Sequence, residues 1–148
     1  MRISDYLDSQ LITFLTQEVR DVAIDALIDL LDTKGYLVEK QAFRDAILYR
    51  ESLVSTGIGM GIAIPHAKMK NIDKFFIAVG IQQYKGIEWN ALDKAPVRII
   101  FMIGGPEGKQ TEYLQILSML TSAIRDAELR KKLLKAKTAQ EVFELFSD

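Results

Sequence analysis

Ser55-Thr56-Gly57-Ile58-Gly59-Met60-Gly61-Ile62-Ala63-Ile64-Pro65-His66-Ala67-Lys68 is the stretch on which the reading of this chain turns. Three glycines at alternate positions lead into the β-type tripeptide Ile62-Ala63-Ile64. Pro65 then fixes the backbone, and His66, the one histidine of the 148 residues, follows at the end of the strand. Such a position can hold an imidazole rigidly at a surface depression with one ring nitrogen free. Without a second histidine or any cysteine, His66 cannot belong to a His-rich or Cys/His metal site. An imidazole so placed serves as base, nucleophile or phosphoryl acceptor, or it is structural only.

Outward from this stretch the chain reads as one α/β domain over residues 1–148. The apolar spacing of Val19, Val22, Ala23, Ala26, Leu27, Leu30 and Leu31 predicts an amphipathic helix over 17–33, ended near Lys34-Gly35. A second helix over 39–50 carries Phe43, Ala46 and Ile47 on one face, and that stripe continues onto Arg50. There a guanidinium either faces the negative end of the helix dipole at the surface or serves the histidine loop that follows. Leu11–Leu15, Phe75–Ile81, Ile87–Trp89 and Val97–Ile103 read as strands, the last buried on both faces. Helices are expected over 109–125, after a cap at Asp126, and after Thr138, whose partner Glu141 completes a capping box. Helices on either side of a block of strands give a mixed β-sheet sandwiched by helices.

The composition excludes several functions. Nineteen basic against twenty acidic residues leave no electrostatic footprint for nucleic acid. The basic cluster Arg130, Lys131, Lys132, Lys135 and Lys137 is a solvated helix face or a dock for an acidic partner. The apolar run Ile99–Ile103 is far short of the about 20 residues that span a bilayer, so no direct membrane insertion is expected. The opening residues have no apolar signal core, and with no cysteine the expected compartment is the cytoplasm. Gly57–Gly61 has the wrong spacing for a dinucleotide fingerprint and precedes a strand instead of following one. Gly104–Gln110 fails as a P-loop, because Gln110 stands where the magnesium-binding hydroxyl belongs. No nucleophile elbow is present.

The run from Glu51 to Ala67 resembles the phosphohistidine signature of enzyme IIA proteins of the fructose/mannitol type (type 2). These belong to the bacterial phosphoenolpyruvate-dependent phosphotransferase system and include nitrogen-regulatory IIA proteins. The signature is an acidic or amide residue, the glycine pair, a small-apolar strand and Pro-His before a small residue, here Glu51, Gly57 and Gly59, Ile62-Ala63-Ile64 and Pro65-His66-Ala67. The resemblance extends over essentially the whole chain and implies the family's fold, with no metal and no cofactor. It implies that His66 accepts a phosphoryl group from HPr or a nitrogen-branch analogue, and that Arg50 is the active-site arginine. The group would pass to a cysteine of a IIB partner for sugar uptake, or remain as a mark that controls the binding of regulatory protein targets. The absence of fused IIB, IIC or HPr segments tilts the expectation toward regulation. Thr56, Gly57 and the loop amides are the candidate supports for the phosphoryl oxygens. Relatives commonly carry a second histidine near the start of the helix after the Gly-Pro loop, where this chain has Tyr113. Tyr113 is either a core aromatic or a hydroxyl that orients His66 or the phosphate, and a relative that no longer carries phosphate is the third reading.

Overall fold

The structure is a computed structural model, described here for residues 1–147. Two 3-10 turns, Ile3–Tyr6 and Ser9–Leu11, precede strand β1 (Ile12–Phe14) and helices α1 (Arg20–Thr33) and α2 (Lys40–Leu53). Short strands β2 (Gly57–Gly59), β3 (Ile62–Ala63) and β4 (His66–Met69) follow, then β5 (Phe76–Ile81) and β6 (Ile99–Pro106). Helices α3 (Gln110–Ile124), α4 (Ala127–Lys135) and α5 (Ala139–Leu145) complete the fold.

The strands form one mixed sheet in the order β1-β5-β6-β3-β2, with β4 also paired to β6. β5 and β6 are antiparallel, whereas β3 and β4 both run parallel to β6, one after the other. Burial explains the hub position of β6: seven of its eight residues are buried, as the unbroken apolar run predicts. Alternation along β5 and β6 divides the core in two. Ile77, Val79, Ile81, Ile99, Phe101 and Ile103 face α3, α4 and α5, while Phe76, Ala78, Ile100 and Met102 face α1 and α2. The expected helix–sheet–helix sandwich is what the chain forms.

Several boundaries differ from the sequence expectation for identifiable reasons. α1 begins at Arg20, not Gln17, because Val19 bridges to Glu88 in parallel β fashion. Val19 and Val22 lie exposed, and Ile24 and Ile28 take the inward positions beside Ala23, Leu27 and Leu31. α2 runs three residues past Arg50, and its buried stripe is Phe43, Ile47 and Glu51 at a spacing of four. The strand expected over Leu11–Leu15 shrinks to Ile12–Phe14, since a 3-10 turn takes up Leu11. Ile87–Trp89 contributes only isolated bridges, Ile87 to Val97 and Glu88 to Val19. Asp126 caps α4 through the Glu128 amide at 2.9 Å. The Thr138 hydroxyl accepts from the Glu141 amide at 3.1 Å, but the Glu141 carboxylate turns to the Lys137 amide instead of closing the box on Thr138. Arg130, from the basic cluster, donates to the carbonyls of Ile124 and Arg125 and so caps the end of α3.

Gly104 and Gly105 are not a phosphate loop but a floor for aromatic rings. A Cβ on Gly105 would stand 2.0 Å from the Phe75 ring, and one on Gly104 would stand 2.4 Å from Phe76. Phe75 in turn stacks on Tyr113 with ring centroids 6.2 Å apart. Gly105→Ala is therefore expected to lower stability by about 1–3 kcal/mol through overpacking. Chemical denaturation checks this, and an unchanged midpoint would show that Phe75 has room to move.

Candidate functional site

The backbone break at Ile64-Pro65 builds the site. β3 pairs with β6 through Ile62 and Ala63, and β4 resumes the pairing with His66 opposite Ile103. Proline has no amide hydrogen to give, yet the Pro65 carbonyl accepts from Ile103 at 3.0 Å, so the strand bends without leaving the sheet. Ala67 packs into the α1/α2 side of the core, which turns His66 and Lys68 to the α3 side.

His66 is partly buried, and its Nδ1 lies 3.1 Å from the Ile64 carbonyl oxygen. A carbonyl can only accept, so Nδ1 carries the proton and Nε2 keeps its lone pair. Burial holds the imidazole below its ordinary pKa of 6.5; the Ile64 carbonyl opposes this, and the positive charges of Arg50 and Lys68 add to it. The ring is thus neutral and nucleophilic at pH 7. His66 lines a small cavity of about 240 Å³ together with Arg50, Ser55, Thr56, Ile58, Ile64, Tyr113, Leu117 and Thr121. Larger depressions exist, one of about 480 Å³ around Tyr6, Tyr36 and Phe75, but His66 lines none of them.

Arg50 sits in the last turn of α2. One guanidinium nitrogen donates to the Val54 carbonyl at 2.7 Å, closing the helix end, while the side chain lines the His66 cavity. A guanidinium has five N–H donors, so the capping bond leaves others for an anion. Tyr113 is buried in the first turn of α3, with its ring centroid 5.4 Å from that of His66. Burial pushes its phenol up to about 12, against a smaller opposing pull from Arg50, so it stays a neutral hydroxyl. Lys68 Nζ lies 4.5 Å from the Tyr113 ring centroid and donates to Gln110 Oε1. Lys68 could have been found by period: two residues after His66 on a strand, it shares the same face.

The glycine-rich loop does not surround the imidazole. Its turn, with positive φ at Gly59, Met60 and Gly61, joins β2 to β3 at the end remote from His66. Four residues, Ile62 to Pro65, separate Gly61 from His66, a span of roughly 15 Å for extended chain. The Gly57 amide donates to Ser55 Oγ at 3.1 Å, and a Cβ there would lie 2.7 Å from that of Ala91. Gly57 therefore permits close packing of the 89–91 segment. Thr56 does reach the cavity, but its hydroxyl donates to Glu51 Oε1 at 2.5 Å, which leaves only lone pairs to face a ligand. Glu51, the acidic residue of the signature, is buried to 3% exposure, and the sequence reading gave it no place beside the cavity. Its signal is the spacing of four from Phe43 and Ile47 on the inward face of α2.

A neutral, tautomer-fixed imidazole beside an arginine in a small cavity is an arrangement suited to accepting a phosphoryl group. Comparison with known proteins agrees: residues 5–148 match the family model described as "Phosphoenolpyruvate-dependent sugar phosphotransferase system, EIIA 2". The chain belongs to this family, whose members are phosphotransferase components. It is 36% identical over 148 residues to a fructose-specific EIIABC component of Bacillus subtilis, covering 99% of this chain but 23% of that protein's length. It is also 36% identical to a fructose-specific EIIA component of Haloferax volcanii, over 87% of this chain and 83% of that one. In three dimensions it is similar to the nitrogen regulatory protein IIA-Ntr of Neisseria meningitidis at TM-score 0.89 and 25% identity, over 98% of this chain and 99% of the other. No helix of the described residues is long and apolar enough to cross a membrane.

The depressed His66 pKa has a defined consequence for stability. Below pH 6.5 the unfolded chain binds more protons than the folded one, so stability contributed above pH 6.5 is lost as the pH falls through the lower folded value. With a single histidine, an NMR titration of the ring reports this directly. The expected midpoint lies below 6.5; a midpoint at or above it would show that burial does not control the ring.

Proposed function

We propose that His66 is the phosphoryl acceptor of a IIA phosphocarrier, taking the group from an HPr-like phosphocarrier protein or a nitrogen-branch analogue and passing it to a IIB cysteine. The observation that carries this is the Nδ1–Ile64 bond, which leaves Nε2 as the nucleophile in a cavity that also holds Arg50. The Nε2 lone pair attacks phosphorus as the donor's N–P bond breaks, and the donor imidazole keeps the bonding electrons. The Nδ1 proton stays on the ring, against a carbonyl that tolerates the positive charge the ring gains. Exchange between two ring nitrogens is close to reversible, and the protein contributes positioning and charge neutralisation. The guanidinium of Arg50 is the principal support for the phosphoryl oxygens. The Tyr113 hydroxyl serves as a second, uncharged donor in place of the family's second histidine.

The name of the Bacillus relative joins A, B and C components in one protein, which supports a IIB module as the receiving partner. The close structural match to a nitrogen regulatory protein supports a second use of the same chemistry, in which phosphorylated and unphosphorylated His66 select different regulatory protein targets. The two uses separate on one experiment. After incubation with phosphoenolpyruvate, enzyme I and HPr, or with the nitrogen-branch donors, intact mass shows which set loads the chain, and addition of IIB shows whether the group leaves.

Loading should add one phosphate, labile to acid and stable to base, and none in His66→Ala. An acid-stable modification, or one that survives in His66→Ala, would overturn the assignment. Loss of a charge-assisted hydrogen bond is worth about 1.5–3 kcal/mol, so Arg50→Ala should slow transfer roughly 13- to 160-fold. Arg50→Lys should be affected less and remain close to wild type in thermal stability; wild-type kinetics in both variants would return Arg50 to a capping role alone. Loss of one neutral bond costs about 0.5–1.5 kcal/mol, so Tyr113→Phe should slow transfer about 2- to 13-fold. Rates of phosphate arrival and loss measured by quenched mass spectrometry check this, and wild-type rates would make Tyr113 packing only.

A further inference from the structure

Glu51 carries a feature that the architecture does not require. Its carboxylate, 3% exposed, accepts from the Thr56 amide at 2.7 Å, the Thr56 hydroxyl at 2.5 Å and the Trp89 indole at 3.1 Å. Among the described residues, the four ion pairs lie elsewhere, so no cation sits within 4.0 Å of this carboxylate. A buried, unpaired charge is costly to keep even with three donors. A neutral glutamine could make the same contacts. Its carbonyl oxygen would take both N–H donors, and its amide would donate to the Thr56 hydroxyl, which can accept as well as donate. The negative charge is therefore surplus to the job of tying α2, Thr56 and Trp89 together.

That charge is one hydrogen bond away from a residue that lines the His66 cavity. Thr56 bridges the two, with its proton committed to Glu51 and its lone pairs left for the cavity it lines. Arg50, the residue before Glu51 in the chain, is the cation of the same cavity. We propose that Glu51 is a fixed buried anion that opposes Arg50 and destabilises the phosphoryl group on His66, so that the protein passes the group on instead of retaining it. This rests on the reading of His66 as the phosphoryl acceptor. Glu51 touches neither the imidazole nor the reacting atoms in this structure; it is a positioning residue acting by its field and by the orientation it imposes on the Thr56 hydroxyl. In Glu51→Gln both effects reverse in the same direction: the anion disappears and the Thr56 proton is free to face a phosphoryl oxygen.

The test is the equilibrium of phosphoryl exchange with HPr and the hydrolytic lifetime of phosphorylated His66, followed by 31P NMR and intact mass in wild type, Glu51→Gln and Glu51→Asp. Phosphoramidate serves as a second, protein-free donor. Glu51→Gln should fold with a melting temperature near that of wild type and retain phosphate on the order of tenfold more strongly, the scale of one charge acting over about 10 Å at an effective dielectric of about 20. Its His66 titration should also move to lower pH, since an anion that favours the imidazolium has gone; a tie that was only structural would leave this titration in place. Glu51→Asp keeps the charge with a shorter reach, so it should lose stability while its equilibrium stays near wild type. Equal phosphoryl retention in Glu51→Gln and wild type would overturn the inference while leaving His66 as acceptor. So would a Glu51→Gln chain that fails to fold, because the charge would then be architectural. Wild type that takes phosphate from neither donor would overturn this inference and the reading of His66 together.

Discussion

The carbonyl of Ile64 decides what the imidazole can do, and that bond exists because β3 and β4 are one strand path interrupted by Ile64-Pro65. Both halves stay registered on β6, held by the Ile103 amide on the Pro65 carbonyl. The interruption lets a carbonyl two residues before the histidine turn toward Nδ1, which a regular pleat would direct at a neighbouring strand. The tautomer, the free Nε2 and the placement of the ring against α3 all follow from that local geometry. β6 must be rigid for this to hold, and its burial on both faces supplies the rigidity at roughly 1.5–3 kcal/mol per large apolar side chain removed from water.

Around the imidazole the charges are arranged in opposition. Burial keeps the ring neutral, and the positive charges of Arg50 and Lys68 add to that; Glu51 is negative, buried and bonded to Thr56. A carrier has to accept a dianionic group and release it again, so strong one-sided stabilisation would work against turnover. The Tyr113 phenol, pushed up to about 12 chiefly by burial, adds no charge to this balance. Packing transmits further constraints. Phe75 lies between the Gly105 backbone and Tyr113, so Gly105 influences the position of a ring packed beside His66.

Much of this was legible in the residues themselves. The unbroken apolar run of β6, the helical spacing of α1 and α2 and the caps at Asp126 and Thr138 are local signals, and the sandwich of helices about a mixed sheet follows from their order. The Pro-His pair after a small-apolar strand singled out His66, and the helix stripe brought attention to Arg50. The glycine turn misled, because alternate glycines ahead of a histidine suggest a cradle for phosphate. Their positive φ angles instead form the far turn of the β2–β3 hairpin, and Gly57 is required by Ala91, a residue 34 positions away.

What the sequence by itself determined is the helices, the long strands and the single histidine placed at the end of a small-apolar strand, since periodicity, capping and the Pro-His pair act over a few neighbouring residues. Tertiary structure alone decided the chemistry around it: which imidazole nitrogen is free, that Thr56 offers lone pairs and not a proton, that Lys68 lies over Tyr113, and that Glu51 is buried without a cation. Those facts depend on contacts between residues distant in sequence, such as Trp89 with Glu51 and Tyr113 with His66. Hydrogen bonds and burial are set by three-dimensional proximity, and no pattern within one element encodes where another element will come to rest.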